Sequence, residues 1–402
     1  MPREKIITSL DIGSSSVKIL VVKKNKKENN IEVVLKSEQK SDGIRRGTVI
    51  NIDKISNVLK SLLSKASQDL NKQINSAYIS LGGSHIFSTY SRGLVSVSRA
   101  DRKISEEDIN RVLQAAQAIS LPSNKEIFDI LPKEFIVDGE RGIKDPLGLE
   151  GVRLEAEVLA LGGFSPYLKN TKQAILNSNL EALDTTPSSL AAARTCLTDR
   201  QKELGVALVD IGAGITNLAV FEEDNLVHLA VLPMGSENIT TDIAIGFKTD
   251  IDTAERIKIQ HGSCAFKGKD IRRKINILDE EPLIFSQRFL TNIITVRVSE
   301  IFEQVNEELK KISREKMLPA GIVLAGGGAK LPNMIQLARK KFSLPCSLGK
   351  PKGIVGLEKD LSWATACGLA LLGSDAEEKE HEFGFFKKIG IKLRKILKIF
   401  IP

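Results

Sequence analysis

The chain has 402 residues, a formal net charge of +8 and four cysteines. Its length and an apolar content of 42% exclude a disordered chain and allow two or three domains with sizeable cores. Cys196, Cys264, Cys346 and Cys367 contain no CxxC pair, which excludes a zinc ribbon or a disulfide framework and fits a reducing cytoplasm.

The charge is unevenly spread. Residues 385–402 hold six cations and no acid, and without them the rest of the chain stands at +2. No nucleic-acid partner is expected from so local a basicity, which has no aromatic stacking platform beside it. The opening MPREKIITSLDIG does not read as a signal peptide, because Thr8, Ser9 and Asp11 break its short apolar run. No stretch reaches 18 uninterrupted apolar residues.

In chain order, residues 6–22 (IITSLDIGSSSVKILVV) give an apolar run, Asp11, Gly13, the turn Ser14-Ser15-Ser16, Lys18 and a second apolar run. That pattern predicts a β-hairpin with a carboxylate before the turn and small residues at its tip. Residues 31–35 read as a third strand and 43–47 as a loop. Residues 53–63 read as a helix on apolar spacings of 3, 4, 7 and 8, and 77–81 as a strand ending in Gly82-Gly83.

Residues 84–165 read as an inserted α+β unit. It has strands at 93–98, 128–137 and 154–161 and a loop at 138–151. A helix starts at Ser105-Glu106-Glu107-Asp108, a capping serine followed by first-turn acids. After Pro166 a helix runs through Leu168, Ala174, Ile175 and Leu176. Asp184-Thr185-Thr186-Pro187 is expected to cap another helix over 188–197.

Residues 205–221 (GVALVDIGAGITNLAVF) repeat the opening hairpin, with Asp210, Gly212-Ala213-Gly214, Ile215, Thr216 and Asn217. Glycines there permit positive φ and outward-facing N–H groups that cradle phosphate. Each Asp is placed to hold a hydrated Mg²⁺. Lys18 is either a point charge on a phosphate or a solvated strand lysine.

Residues 226–232 read as a strand, followed by Met234-Gly235-Ser236-Glu237 and helices at 238–247 and 252–261. The second of these helices carries Ala254-Glu255-Arg256-Ile257-Lys258. Residues 266–284 are strand-like and 286–313 form a long helix. A strand at 322–325 enters Gly326-Gly327-Gly328-Ala329, which reads as room for a flat ligand or phosphate, or as a plain strand-to-helix turn. Residues 362–373 form a small-residue helix. Residues 374–383, with five acids, read as a linker.

The last stretch, GFFKKIGIKLRKILKIFIP, is amphipathic. Phe385, Phe386, Ile389, Leu393, Ile396, Leu397, Ile399 and Phe400 share one side of a helical wheel; Lys387, Lys388, Arg394, Lys395 and Lys398 lie opposite. Six cations at roughly 2.5–3.5 kcal/mol each near a helix centre disfavour spanning a bilayer. Lying in the interface of an anionic lipid membrane is favoured, at up to about 1 kcal/mol per cation. Docking on the protein itself or on a partner is the alternative.

The two Asp-Gly hairpins, the AExxK helix and the GGGA turn, in that order, resemble the actin, sugar kinase and Hsp70 ATPase superfamily. The stretches GGSHI, ISEEDINRV and PKEFIVDGERGIKDPLGLEGVRLEAEV and the basic tail resemble the FtsA family of bacterial cell-division proteins. The resemblance implies an α/β fold, a duplicated actin-like (ribonuclease H-like) core of two lobes with an inserted small α+β subdomain and a C-terminal amphipathic helix. It implies a first lobe of 1–83 plus 166–197, the insert at 84–165, a second lobe of 198–232 plus 314–373 and a subdomain at 233–313. An acidic linker at 374–383 and a membrane-targeting helix at 384–402 complete it.

It further implies ATP and Mg²⁺ as cofactors. Gly13, Ser14, Ser15, Ser16 and Lys18 form the first phosphate loop with Asp11, and Gly212, Ala213, Gly214, Ile215, Thr216 and Asn217 the second with Asp210. Gly235 and Ser236 border the nucleotide, Glu255 and Lys258 reach its ribose and adenine, and Gly326, Gly327 and Gly328 form the adenosine turn. Implied partners are FtsZ, other divisome proteins, further copies of the chain and anionic lipid on the cytoplasmic face of the membrane at the division site. A PilM-like pilus-assembly adaptor is the second reading. Many relatives place Glu before Pro to orient the attacking water; here Thr186 precedes Pro187, and slow hydrolysis is expected. Gln173 and Glu181 are candidate substitutes that nothing in the sequence places there.

Overall fold

The first of the two sequence-related hairpins lies in a five-stranded sheet and the second in a nine-stranded one in the computed structural model, which describes residues 6–25, 30–266, 268–276, 282–357 and 360–382. In the first lobe, β1 (Ile6–Ile12), β2 (Ser16–Asn25) and β3 (Asn30–Lys40) are antiparallel neighbours. A small hairpin follows, β4 (Ile44–Arg45) with β5 (Thr48–Val49). Helix α1 (Ile52–Asp69) starts where the Asn51 side chain accepts from the Lys54 N–H, and it buries Ile55, Val58, Leu59, Leu62 and Leu63 on one face. It returns the chain to β6 (Ser76–Leu81), parallel to β1.

The insert comprises β7 (Phe87–Ser96), α2 (Glu106–Gln117), β8 (Lys125–Val137), β9 (Glu140–Ile143) and β10 (Arg153–Phe164). Ser105 and Asp108 close the expected capping box on α2. The stretch 138–151, expected as loop, contains the short strand β9 paired to β8. Helix α3 (Ser165–Asn177) then leads to β11 (Glu181–Pro187), parallel to β6. Asp184–Pro187 therefore belong to a strand and do not form a cap loop. Pairing with β6 outweighs the local turn preference of Asp and Pro, and α4 (Ser188–Cys196) begins directly after Pro187.

After α5 (Asp199–Leu204), the second lobe repeats the plan with β12 (Val206–Ile211), β13 (Thr216–Glu222) and β14 (Asn225–Leu232). Helices α6 (Ser236–Phe247) and α7 (Ile251–His261), the ribbon β15 (Arg272–Ile275) with β16 (Leu283–Ser286), and the long α8 (Gln287–Lys311) follow. Then come β17 (Gly321–Ala325), parallel to β12, and α9 (Met334–Phe342). The sheet closes with β18 (Cys346–Leu348), parallel to β17. The orders β11-β6-β1-β2-β3 and β18-β17-β12-β13-β14 match strand for strand.

The insert packs its own cluster around Ile109, Val112, Leu113, Phe135 and Val158 and joins the second lobe through its sheet edge. Its four strands extend the second-lobe sheet to nine through β7 beside β14, where Ala230 pairs with Phe87. Ser88 Oγ donates to the Leu229 carbonyl (2.9 Å) and accepts from the Leu229 N–H (3.0 Å), and Tyr90 donates to the Val227 carbonyl (2.8 Å).

The helices α4 and α10 (Ala364–Glu382) meet at a close crossing between the sheets. A Cβ at Gly368 would lie 1.6 Å from the Ala191 carbonyl oxygen, so only glycine permits that approach. Helix α10 runs on through the stretch expected as an acidic linker. Ser374 is buried and Asp375 pairs with Arg194 of α4 (2.9 Å), so burial and an ion pair continue the helix where composition suggested a solvated tether. The membrane-binding residues expected between Phe385 and Phe400 lie outside the described residues.

Candidate functional site

The two hairpin turns share one geometry. Asp11 pairs in register with Lys18, and Asp210 with Asn217. The Gly13 N–H donates to the Ser16 carbonyl (3.1 Å) and the Gly212 N–H to that of Ile215 (2.9 Å). The positive φ expected of the second turn's glycines is not met at Gly212 or Gly214, and Gly13 of the first turn has none either. Glycine is required there for space instead. A Cβ would lie 2.8 Å from the Ser16 carbonyl oxygen at Gly13 and 3.0 Å from that of Ile215 at Gly212. At Gly214 it would lie 2.8 Å from Ser14 Oγ of the opposite lobe. The tips of the two turns thus abut across the cleft.

Each turn is preceded by a carboxylate, and the charge of Asp11 is felt at Asp210. Burial raises the Asp11 pKa, against the opposing influence of Lys18 and a hydrogen bond from Ser80 (2.9 Å). Burial also pushes Asp210 up to about 6; the Asn217 amide (3.0 Å) lowers it, the Asp11 charge raises it and Lys18 lowers it. Lys18 is therefore the cation acting on both acids, and its Nζ lies 6.0 Å from the centroid of the Trp363 ring. This surplus of negative charge suits a hydrated divalent cation. Among the described residues no group of three or more His, Cys, Asp or Glu could hold a metal. An ion here would need water and ligand oxygens to fill its shell.

The second lobe walls in its own turn. Gly326 has φ +82°, and a Cβ on it would sit 2.4 Å from Asp210 Oδ1 and from the Ile211 carbonyl oxygen; Gly328 packs as closely on Ile211. Gly327 is exposed. Gly235 lies against Ala213, and the Ser236 and Glu237 N–H groups donate to the Gly212 and Ala213 carbonyls (2.9 Å each). The first donors of α6 therefore brace the turn. Lys258 is buried and donates to the Ser236 carbonyl (3.1 Å) and Thr240 Oγ1 (2.8 Å), and it pairs with Glu255 (2.7 Å). Thr216 is buried too, its hydroxyl donating to the Met234 carbonyl (2.8 Å). The second-lobe residues named from the sequence are thus joined by a chain of contacts running from Asp210 to Lys258.

Three features were not anticipated. Ser80 accepts from the Ile12 N–H (2.9 Å) while donating to Asp11, so it ties β6 to the first turn. Thr240 links Lys258 to Glu255. The β4–β5 hairpin, expected only as a loop, reaches the site through the Gly47 N–H, which donates to Ser14 Oγ (2.9 Å). Thr186 pairs with Ser80 across β11 and β6, two strands from Asp11 with β6 between. Neither candidate substitute for it is near: Glu181 is exposed at the far end of β11 opposite Ser76, and Gln173 donates to Asn177 on α3.

Two lobes of one strand order, each presenting an Asp-led turn to a shared cleft, define an actin-like fold. Solved structures share it. The chain matches one from the PilM-PilN type IV pilus biogenesis complex with a TM-score of 0.66 and 17% identity, covering 91% of this chain and 98% of that one. It matches MreB5 of Spiroplasma citri bound to AMPPNP with a TM-score of 0.57 and 15% identity, covering 96% and 100%. These are likenesses of fold alone.

Sequence comparison is more specific. Residues 207–368 match the family described as cell division protein FtsA, and residues 83–161 match the SHS2 domain inserted in FtsA. The chain is 34% identical over 376 residues to the cell division protein FtsA of Pseudomonas aeruginosa, covering 92% of this chain and 89% of that one. It is 33% identical to that of Bacillus subtilis, covering 92% and 83%. The chain belongs to the FtsA family of actin-like cell-division proteins.

Proposed function

We propose that the cleft binds ATP with Mg²⁺ and that the chain polymerises on the cytoplasmic face of the membrane at the division site, tethering FtsZ filaments and recruiting other divisome proteins. The observation that carries the nucleotide reading is the pair of abutting turns, each preceded by a carboxylate, with the two acids close enough to influence each other's charge. The turns offer backbone N–H groups and serine hydroxyls to phosphates. Asp11 and Asp210 would hold Mg²⁺ through water, and Mg²⁺ would neutralise phosphate charge. Lys18 would add a cation, Glu255 and Lys258 would meet the ribose and adenine, and Gly326–Gly328 would leave room for the adenosine. AMPPNP is held by the MreB5 structure of the same fold. With Thr186 in place of a carboxylate, the cleft is suited to hold ATP for long periods and to cut it slowly.

Asp210→Ala is expected to weaken ATP binding at least tenfold in the presence of Mg²⁺ by titration calorimetry; unchanged affinity would refute the reading. The membrane part rests on the basic amphipathic face of 384–402. A chain ending at Glu382, which keeps all of α10, is expected to stay in solution when the full chain sediments with anionic liposomes. Equal sedimentation of the two would remove the tail from the proposal.

A further inference from the structure

The β4–β5 hairpin places a cation where both phosphate turns meet, and no part of the site described so far uses it. A cavity of about 190 Å³ opens beside the abutting tips. It is lined by Ser14, Arg45 and Arg46 from the first lobe and by Gly214, Glu237 and Thr241 from the second. Arg46 stands at the tip of the hairpin. Its neighbour Gly47 holds Ser14 Oγ (2.9 Å), and a Cβ on Gly214 would come 3.3 Å from Arg46 Cα. The backbone at Arg46 therefore lies beside both turns, tied to the first through Gly47 and closely packed against Gly214 of the second.

We propose that Arg46 binds the terminal phosphate of a nucleoside triphosphate and so distinguishes triphosphate from diphosphate; this rests on the ATP reading above. Three observations converge on it. The guanidiniums of Arg45 and Arg46 have no ion pair among the described residues, although Glu237 lines the same cavity. Elsewhere the two turns offer one cation, Lys18, against two carboxylates, too little to balance a triphosphate and its metal. Arg46 is also held at φ +49°, a left-handed backbone that arginine seldom adopts. The surrounding fold imposes that conformation: Gly43 and Gly47 flank it with φ +81° and +69°, and the Ile50 and Asn51 N–H groups both donate to the Gly43 carbonyl. A phosphate chain cradled by both turns ends where their tips meet. The bidentate fork of an arginine matches phosphate oxygens at that point, and a diphosphate lacks the group that would reach it.

The test uses the full chain with Mg²⁺ and compares binding of AMPPNP and ADP by titration calorimetry. Arg46→Asn is the main variant, because asparagine tolerates the left-handed backbone. It is expected to weaken AMPPNP by about tenfold or more and ADP by less than about twofold, with an unchanged melting temperature. Arg46→Lys, which keeps the charge but loses the fork, should fall between. Equal losses for the two nucleotides, or no loss for either, would overturn the inference while leaving the ATP reading intact. If the unsubstituted chain binds neither nucleotide, the ATP reading fails and the inference falls with it.

Discussion

The first-lobe turn and the second-lobe turn occupy equivalent places in equivalent sheets, yet their partners are exchanged. In the first, Asp11 takes its neutral hydrogen bond from Ser80 on the parallel neighbour strand and faces a cation, Lys18, across the hairpin. In the second, the hairpin supplies the neutral partner, Asn217, and the parallel neighbour offers Ala325 where the first lobe has Ser80. The second turn is also the more enclosed: Thr216 and Asn217 are buried and α6 donates to it, whereas Ser15 is exposed. Duplication preserved the frame and divided the chemistry. One jaw supplies charge, and the other supplies a fixed shape.

The largest test of that division is at the glycines behind the turns. Gly326 follows β17 as Gly82 follows β6, but a Cβ at Gly326 would meet Asp210 at 2.4 Å with φ +82°. At Gly82 the nearest atom would be 3.5 Å away, and its φ is not positive. Gly326→Ala is expected to destabilise by about 4 kcal/mol, combining left-handed strain with overpacking, and Gly82→Ala by less than about 0.5 kcal/mol. Thermal melting of the two variants checks this; similar shifts would erase the distinction.

Next in size is a pH effect belonging to the enclosed jaw. Asp210 has its pKa raised from the ordinary 3.8 to about 6, mainly by burial. In the absence of metal and nucleotide, between about pH 3.8 and 6 the folded state therefore holds a proton that the unfolded state releases. That stability is fully present below pH 3.8 and is lost as pH rises through about 6, a decline on the order of 2–3 kcal/mol. Asp210→Asn should flatten most of it in urea unfolding measured between pH 4 and 7. A wild-type curve that rises across that window would contradict the raised pKa.

The frame was legible in the sequence because alternation and paired glycines mark both hairpins, and Ser105 with three acids marks the start of α2. What was illegible depends on neighbours distant in sequence. Asp184–Pro187 carry cap chemistry, and only their pairing with β6 makes them a strand. Ser80 has no spacing that marks it, since it joins Asp11 only when β6 lies beside β1. Arg46 looked like part of a plain Gly-flanked loop until the hairpin folded back on Ser14. The acids after Gly373 read as solvated, yet Arg194 of α4 holds the first of them.

Smaller effects probe the open jaw by making it resemble the other. Lys18→Asn installs the second lobe's partner and removes the cation shared by Asp11 and Asp210, so ATP affinity should fall about tenfold. Asn217→Ala, which removes no charge, should cost less than half of that on a logarithmic scale. Ser80→Ala imitates Ala325 and is the mildest change. It deprives the Ile12 N–H of its acceptor and Asp11 of its donor, so the expected loss of stability is about 1 kcal/mol. Because the hydroxyl helps to keep Asp11 ionised, its removal should raise the Asp11 pKa further and move the onset of Mg²⁺-dependent ATP binding to higher pH. A binding profile against pH that does not move would show that Ser80 only joins strands and leaves the charge of the first jaw to Lys18 alone.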